Sequence, residues 1–265
     1  MGIPIYQVDS FTSEPFKGNP AGVCILREPA EEAWMQRVAA EMNVAETAFI
    51  VKRSDGAFDL RWFTPAVEVE LCGHATLATA HILWETGALP VGTEARFHTA
   101  SGLLTANQRG DRIELDFPAN PPKPVEPPDG LLDALEVAPI YVGQTRFDYF
   151  VEVRDASTVR GVAPDFRELR RLGVRGVMVT SRSDDGSCDF VSRFFAPGAG
   201  IDEDPVTGSA HCALAPYWAK KLERDQVTGY QASARGGTIH CRVAGDRVLL
   251  SGHAVTVLRG EFVNP

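Results

Sequence analysis

Cysteine is scarce and unpatterned, with five residues in 265, an odd number, and no C-x-x-C anywhere. That speaks against a disulfide framework and a zinc ribbon, and it fits a reducing cytosol. Clustered Lys and Arg are missing too. The net charge is −9 and the sequence pI about 5.2, so no nucleic-acid partner is expected. An anionic substrate then has to be held locally, by backbone N–H groups or a few side chains. No apolar run approaches the ~18 residues of a membrane span. The opening MGIPIY lacks the basic-then-apolar order of a secretory signal and carries Tyr6 where a myristoylation signal wants Ser or Thr. A soluble, cytoplasmic protein with no membrane partner is the expectation. Neither G-x-G-x-x-G nor G-K-[ST] occurs, so no nucleotide cofactor is signalled. The spacings Cys72/His74/His81 and His211/Cys212 are not those of zinc ligands, and no metal site is expected.

What is present is an ordinary globular composition, 44% hydrophobic and 23% charged, written as one unit twice. Residues 61–81, RWFTPAVEVELCGHATLATAH, are answered by residues 193–213, RFFAPGAGIDEDPVTGSAHCA. Gly73-His74-Ala75 pairs with Gly208-Ser209-Ala210, Gly102 with Gly237, and Gly110-Asp111-Arg112 with Gly245-Asp246-Arg247, all at a spacing of 135. Such internal repeats imply two copies of one structural unit. Between them lie six prolines in the eleven residues 118–128, an extended, semi-rigid connector. The expected domains are 1–118 and 119–265, with the final strand free to cross to the first lobe.

In each copy, alternating β-rich segments surround one strongly apolar helix. Strands are expected at Ile3–Val8, Ala21–Leu26, Ala48–Val51 and Phe58–Phe63, the last two as a hairpin. A helix over Glu31–Met42 follows from Trp34, Val38 and Met42 at four-residue intervals. The stretch from Gly73 or His74 to Thr86 is apolar nearly all the way round and stops at Gly87, so it reads as a buried helix. Its counterpart begins near Gly208 or Ser209 but contains Pro216, which predicts a bend or an early end there. The fold class expected is α+β: two pseudo-symmetric lobes, each a mostly antiparallel, curled sheet around a central buried helix.

Two such helix N-termini offer unpaired N–H groups and partial positive charge, suited to a carboxylate or phosphate. Beside them stand Glu68, Glu70, Cys72 and His74 in the first copy, and Asp202, Glu203, Asp204 and Ser209 in the second. Glu68, Glu70, Asp202 and Glu203 read as turn or helix-dipole residues. His74 and Asp204 remain open as acid–base groups.

Taken together, VDSFTSEPFKGNPAGV near the start, AETAF at 45–49, CGHAT at 72–76, LDFPA at 115–119 and EDPVTGSA at 203–210 resemble the phenazine-biosynthesis isomerase family (PhzF-like). That family has the two-lobed fold of diaminopimelate epimerase. The resemblance spans essentially the whole chain. It implies a cofactor-independent isomerase moving a proton at carbon on a small carboxylate-bearing substrate, with the active site between the lobes, and a homodimer. It places the general acid/base on Glu46, with His74 and Asp204 as further catalytic residues. Asn19, Gly73, Gly208 and Ser209 become substrate-binding residues. Related racemases use two cysteines. Cys72 stands at the first position, but its partner by the repeat is Thr207 and by the family motif Asp204. A racemase or epimerase using Cys72 stays as the enzymatic alternative, and a non-catalytic binding or regulatory protein as the alternative of another class.

Overall fold

The computed structural model describes residues 2–263. It is a mixed α and β structure made mostly of sheet. The chain separates into two compact units, one of residues up to Asp116 together with those from Ser251 on, the other from Phe117 to Leu250.

The first unit contains, in chain order, β1 (Ile3–Ser10), β2 (Asn19–Leu26), α1 (Glu32–Met42), β3 (Glu46–Lys52), β4 (Phe58–Phe63), the two-residue β5 (Glu68–Val69), α2 (Gly73–Glu85), β6 (Ala95–Thr99), β7 (Gly102–Arg109) and β8 (Arg112–Pro118). β1 and β2 are antiparallel, with Ser10 opposite Asn19. β2 and β3 are parallel, with Ala21 opposite Glu46, because α1 supplies the crossover that a parallel pair requires. The β3–β4 hairpin forms as the alternation predicts, with Lys52 opposite Phe58. α2 buries ten of its thirteen residues. It can do so despite Thr76 and Thr79 because each hydroxyl donates to the carbonyl four residues back, at 2.5 and 2.7 Å. Leu77, Ile82 and Leu83 are fully buried, and each contributes about 1.5–3 kcal/mol. No helix among the described residues is long and apolar enough to cross a membrane.

The second unit runs through β9 (Lys123–Pro124), α3 (Leu131–Leu135), β10 (Pro139–Gln144), β11 (Asp148–Val153), α4 (Ala156–Gly161), α5 (Phe166–Arg171), β12 (Gly176–Arg182), β13 (Phe190–Phe195), α6 (Gly208–Lys221), β14 (Gln226–Gln231), β15 (Gly237–Ala244) and β16 (Arg247–Gly252). Within the proline-rich segment, β9 pairs with β10. A core of Leu131, Leu135, Val151, Val177, Val191 and Phe195 lies beneath α3, α4 and α5. After β16 the chain returns to the first unit as β17 (Ala254–Phe262), antiparallel to β1.

Of the bend or early end expected of α6 at Pro216, the early end does not occur, and the helix runs on to Lys221. Proline at 216 deprives the Cys212 carbonyl of its intrahelical donor. That carbonyl instead accepts from the Asn120 backbone N–H at 2.9 Å, so most of the usual penalty is removed. Pro216→Ala is therefore expected to change stability by less than about 1 kcal/mol, well short of the ~3 kcal/mol that separates Pro from Ala in an ordinary helix interior. Urea unfolding of the two proteins measures the difference.

Candidate active site

Three strand ends meet at the start of α2. β1 finishes at Ser10, directly across from Asn19 at the start of β2, and the parallel register sets Glu46 at the start of the neighbouring β3. The Ser10 hydroxyl donates to the His74 carbonyl at 2.8 Å, which ties the first turn of α2 to the end of β1. His74 Nε2 lies 3.0 Å from Glu46 Oε2. On the other side of the ring, Nδ1 stands 3.3 Å from Asn19 Nδ2 and 3.5 Å from Cys72 Sγ. Of the residues singled out from the sequence, Asn19, Glu46, Gly73 and His74 are thus assembled in the first unit, and Cys72 joins them. The backbone N–H groups of the first turn have no intrahelical acceptor and carry the positive end of the helix dipole.

Asn19, Cys72 and His74 are buried, and the Glu46 side chain is 15% exposed. Burial alone would lower the His74 imidazole. The Cys72 and Glu46 groups on either side override it and hold the ring well above its ordinary value. Burial, with the Glu46 charge added, pushes the Cys72 thiol up. Glu46 Oε2 and His74 Nε2 are close enough to attract as ions, yet the two buried atoms are not aligned for a straight hydrogen bond.

Asp204, Gly208 and Ser209 belong to the second unit. Asp204 Oδ2 accepts from the Thr207 hydroxyl at 2.5 Å, so the two positions matching the missing second thiol are bonded to each other. Gln231, which carried no sequence signal, organises this turn: its Nε2 donates to the Asp204 carbonyl at 2.7 Å and its Oε1 accepts from Thr207 N at 2.9 Å. Ser209 Oγ accepts from Arg175 Nη1 at 3.0 Å. Arg175 is fixed by the buried Asp148 through bonds of 2.9 and 2.5 Å and lies over the Phe147 and Phe194 rings. Thr207→Val removes the donor to Asp204 and an acceptor for Gln231 Nε2 and is expected to cost about 1–3 kcal/mol, the range for removing one partner of a hydrogen bond, read as a lowered thermal midpoint.

Two of the remaining acidic candidates, Glu68 and Glu203, are held in arginine pairs. Arg61 binds Glu68 through two nitrogens, each at 2.7 Å, and lies over the Phe63 ring. In the second unit Arg193 does the same with Glu203, at 2.7 and 2.9 Å, over Phe195. Asp202 is a distant partner of Arg170 at 4.0 Å, and the Glu70 carbonyl accepts from Ser101. His81 turns to Thr256 Oγ1 at 3.1 Å, and His211 Nδ1 faces the Thr207 carbonyl at 2.9 Å. The one three-residue set of metal-ligating side chains among the described residues is Glu46, Cys72 and His74, whose donor atoms all lie within 4.8 Å of one another. Two surface concavities, one lined by His81, Glu85, Asp111 and Arg112 and one by Asp133, Asp165 and Glu168, contain none of the candidate residues.

Comparison with known proteins gives the class of this fold, that of isomerase- and epimerase-like proteins. The family described as phenazine biosynthesis-like protein (PhzC-PhzF) matches residues 8–260, and the chain belongs to that family. It is 51% identical to a protein of Halalkalibacterium halodurans named as an uncharacterized isomerase, over 99% of each chain. A solved PhzF-family protein from Enterococcus faecalis is 42% identical and superimposes with a TM-score of 0.95 over all of both chains. A hydroxyproline epimerase from Agrobacterium vitis, 13% identical, shares the fold with a TM-score of 0.63 over 97% of this chain and 91% of its own.

Proposed function

We propose that this protein is an isomerase that moves a proton between carbon atoms of a small carboxylate-bearing substrate, with Glu46 as the group that takes and returns the proton. The observation that carries this reading is the 3.0 Å approach of Glu46 to His74 at the start of α2. A proton lifted from carbon needs a base held near the reacting atom, with its carboxyl group oriented by a neighbour. His74, 3.0 Å from Glu46 Oε2, is that neighbour. The carboxylate of the substrate is taken by the Gly73 and His74 backbone N–H groups, with the Asn19 amide beside them. In this reading the acid–base pair is enough for the transfer, with no cofactor. Asp204, Gly208 and Ser209 keep the orienting and binding roles that the family resemblance gives them.

A second reading, a racemase or epimerase, has one observation in its favour, the Cys72 sulfur beside His74 Nδ1. Against it stand the raised thiol and Thr207 or Asp204 where a second thiol would act.

The test is proton exchange in D₂O with a dihydro-hydroxyanthranilate and a panel of small amino and hydroxy acids, followed by mass and NMR. Deuterium incorporation or a double-bond shift that Glu46→Gln stops supports the isomerase. Turnover that Cys72→Ser abolishes and Glu46→Gln spares supports the racemase. Saturable carboxylate binding without exchange by the wild type moves the protein to the non-catalytic class.

A further inference from the structure

We propose that Arg175 is a positioning residue of this protein, holding the Ser209 hydroxyl so that its hydrogen is directed at an anionic oxygen of the bound substrate. The substrate role of Ser209 rests on the function proposed above; the fixing of its hydroxyl does not.

Arg175 stands just before β12, and its backbone N–H donates to the Phe147 carbonyl at 3.0 Å. The parallel register sets Asp148, the first residue of β11, opposite Gly176, so Asp148 and Arg175 lie at the same strand ends. The Asp148 side chain is 2% exposed and would be a costly charge if left alone. Arg175 Nε and Nη2 take its two oxygens, at 2.9 and 2.5 Å, and the Phe147 and Phe194 rings lie against the guanidinium at 5.5 and 5.3 Å. A planar fork held along one edge by a carboxylate has its third nitrogen aimed in a fixed direction. That nitrogen, Nη1, donates to Ser209 Oγ at 3.0 Å. Pairing Asp148 needs only the Nε–Nη2 edge; the bond to Ser209 is additional to it.

A serine hydroxyl has one hydrogen to give and two lone pairs to offer. Inside a helix one outlet for the hydrogen is the carbonyl four residues back, the course Cys212 takes toward Gly208 in α6. For Ser209 that carbonyl belongs to Pro205 and accepts instead from the Ser233 hydroxyl at 2.8 Å. With Arg175 on one lone pair, the Ser209 hydrogen turns away from the guanidinium, and among the described residues no acceptor takes it. Donation into Oγ also strengthens the O–H as a donor. Ser209 is half-buried and Arg175 is 34% exposed, so a ligand oxygen can reach this corner. Asp148 balances the Arg175 charge, and what Arg175 contributes is chiefly direction.

The test reads Ser209 before it reads turnover. In ligand-free wild-type protein, NMR couplings are expected to show a single Ser209 χ1 rotamer. Averaging is expected in Arg175→Lys, whose ammonium can still pair with Asp148 but has no fork with which to reach Ser209 as well. Acetate, with acetamide as its neutral counterpart, is then titrated while the Gly208 and Ser209 amide resonances are followed. Acetate is expected to bind the more tightly. Ser209→Ala is expected to weaken it about 10–100-fold, the value of a hydrogen bond to a charged group, and Arg175→Lys about tenfold. The double variant should be no weaker than Ser209→Ala, because one residue acts through the other. In the exchange assay Arg175→Lys is expected to raise KM about tenfold with kcat little changed, the pattern of lost substrate binding. A merely structural ion pair would lower the urea midpoint without that split. Several Ser209 rotamers in the wild type, or no response of Gly208 and Ser209 to acetate, overturns the proposal, and neither measurement needs a variant to fold. Unaltered acetate binding in Arg175→Lys, or a further loss in the double variant, also overturns it. Coupled acetate binding with no exchange activity leaves the fixing of Ser209 standing and overturns the isomerase; Glu46-dependent exchange with KM unchanged in Arg175→Lys does the reverse.

Discussion

Glu46→Gln is expected to lower the rate of proton exchange by about 10²–10⁴-fold, the range for removing a general acid–base group, while the fold survives. Glutamine keeps the shape of the side chain at the start of β3 and can still face His74. What it cannot do is accept a proton from carbon or hold a positive charge on the ring. The substitution therefore has a second readout. In the wild type, His74 is held well above its ordinary value against the pull of burial. A base raised in the folded state contributes stability that is fully present below the unfolded value, about 6.5, and is lost as pH rises through the folded value. Wild-type stability should thus decline above about pH 6.5, where the unfolded chain gives up this proton and the folded chain still holds it. The slope in that window should flatten in Glu46→Gln, where burial is no longer opposed by the carboxylate. NMR titration of His74 together with denaturant midpoints across the window measures both. An unchanged exchange rate, or an unchanged His74 titration, removes Glu46 from the role proposed for it.

Why the sequence exposes some of this arrangement and hides the rest follows from where each residue gets its position. α2 is legible because its apolar character is continuous and Gly87, in the left-handed region at φ 73°, marks its stop. The β3–β4 hairpin is legible because alternation and a Ser-Asp-Gly turn agree. β10 was missed: it opens on Pro139 and leaves Ile140 exposed, so no clean alternation survives. α4 was missed although Asp155 caps it by accepting from Thr158 N at 2.8 Å; six residues are too few to set up a periodic face. Neither was β14 foreseen. Cys72 and His74 are neighbours in the chain and could be read together. Glu46 becomes their partner only through the α1 crossover and the β2–β3 register, and only family resemblance picked it out. Gln231 is a case beyond both, a lone amide on β14 that reaches back to Asp204 and Thr207. The early end allowed for at Pro216 does not occur for the same reason, since its remedy, Asn120, lies far off in the chain.

The second large effect is expected from a group the proposed chemistry does not use. His211 lies inside α6, fully buried beneath the Phe190 ring at a centroid distance of 5.7 Å. Its Nδ1 faces the Thr207 carbonyl at 2.9 Å, which makes Nδ1 the protonated nitrogen, and its buried Nε2 has no hydrogen-bond partner. Gly229 makes room for it, since a Cβ there would come within 2.9 Å of Nε2 and 2.4 Å of the Phe190 ring. Burial lowers this imidazole to about 4, with the Thr207 bond opposing only weakly. The unfolded chain takes up a proton near pH 6.5 and the folded chain only near pH 4, so stability falls as pH drops between those values. The difference corresponds to about 3 kcal/mol, a large share of the 5–15 kcal/mol typical of a domain. His211→Gln keeps a donor for the Thr207 carbonyl but cannot titrate. It is expected to be less stable than wild type at pH 7, having lost the ring against Phe190, and to lose less on acidification, so the two stability curves converge toward pH 4. His81, also lowered by burial, is the same in both proteins and cancels in the comparison. Urea midpoints at half-unit steps from pH 7 to 4 decide it. Parallel curves would mean that the acid lability of this unit arises elsewhere.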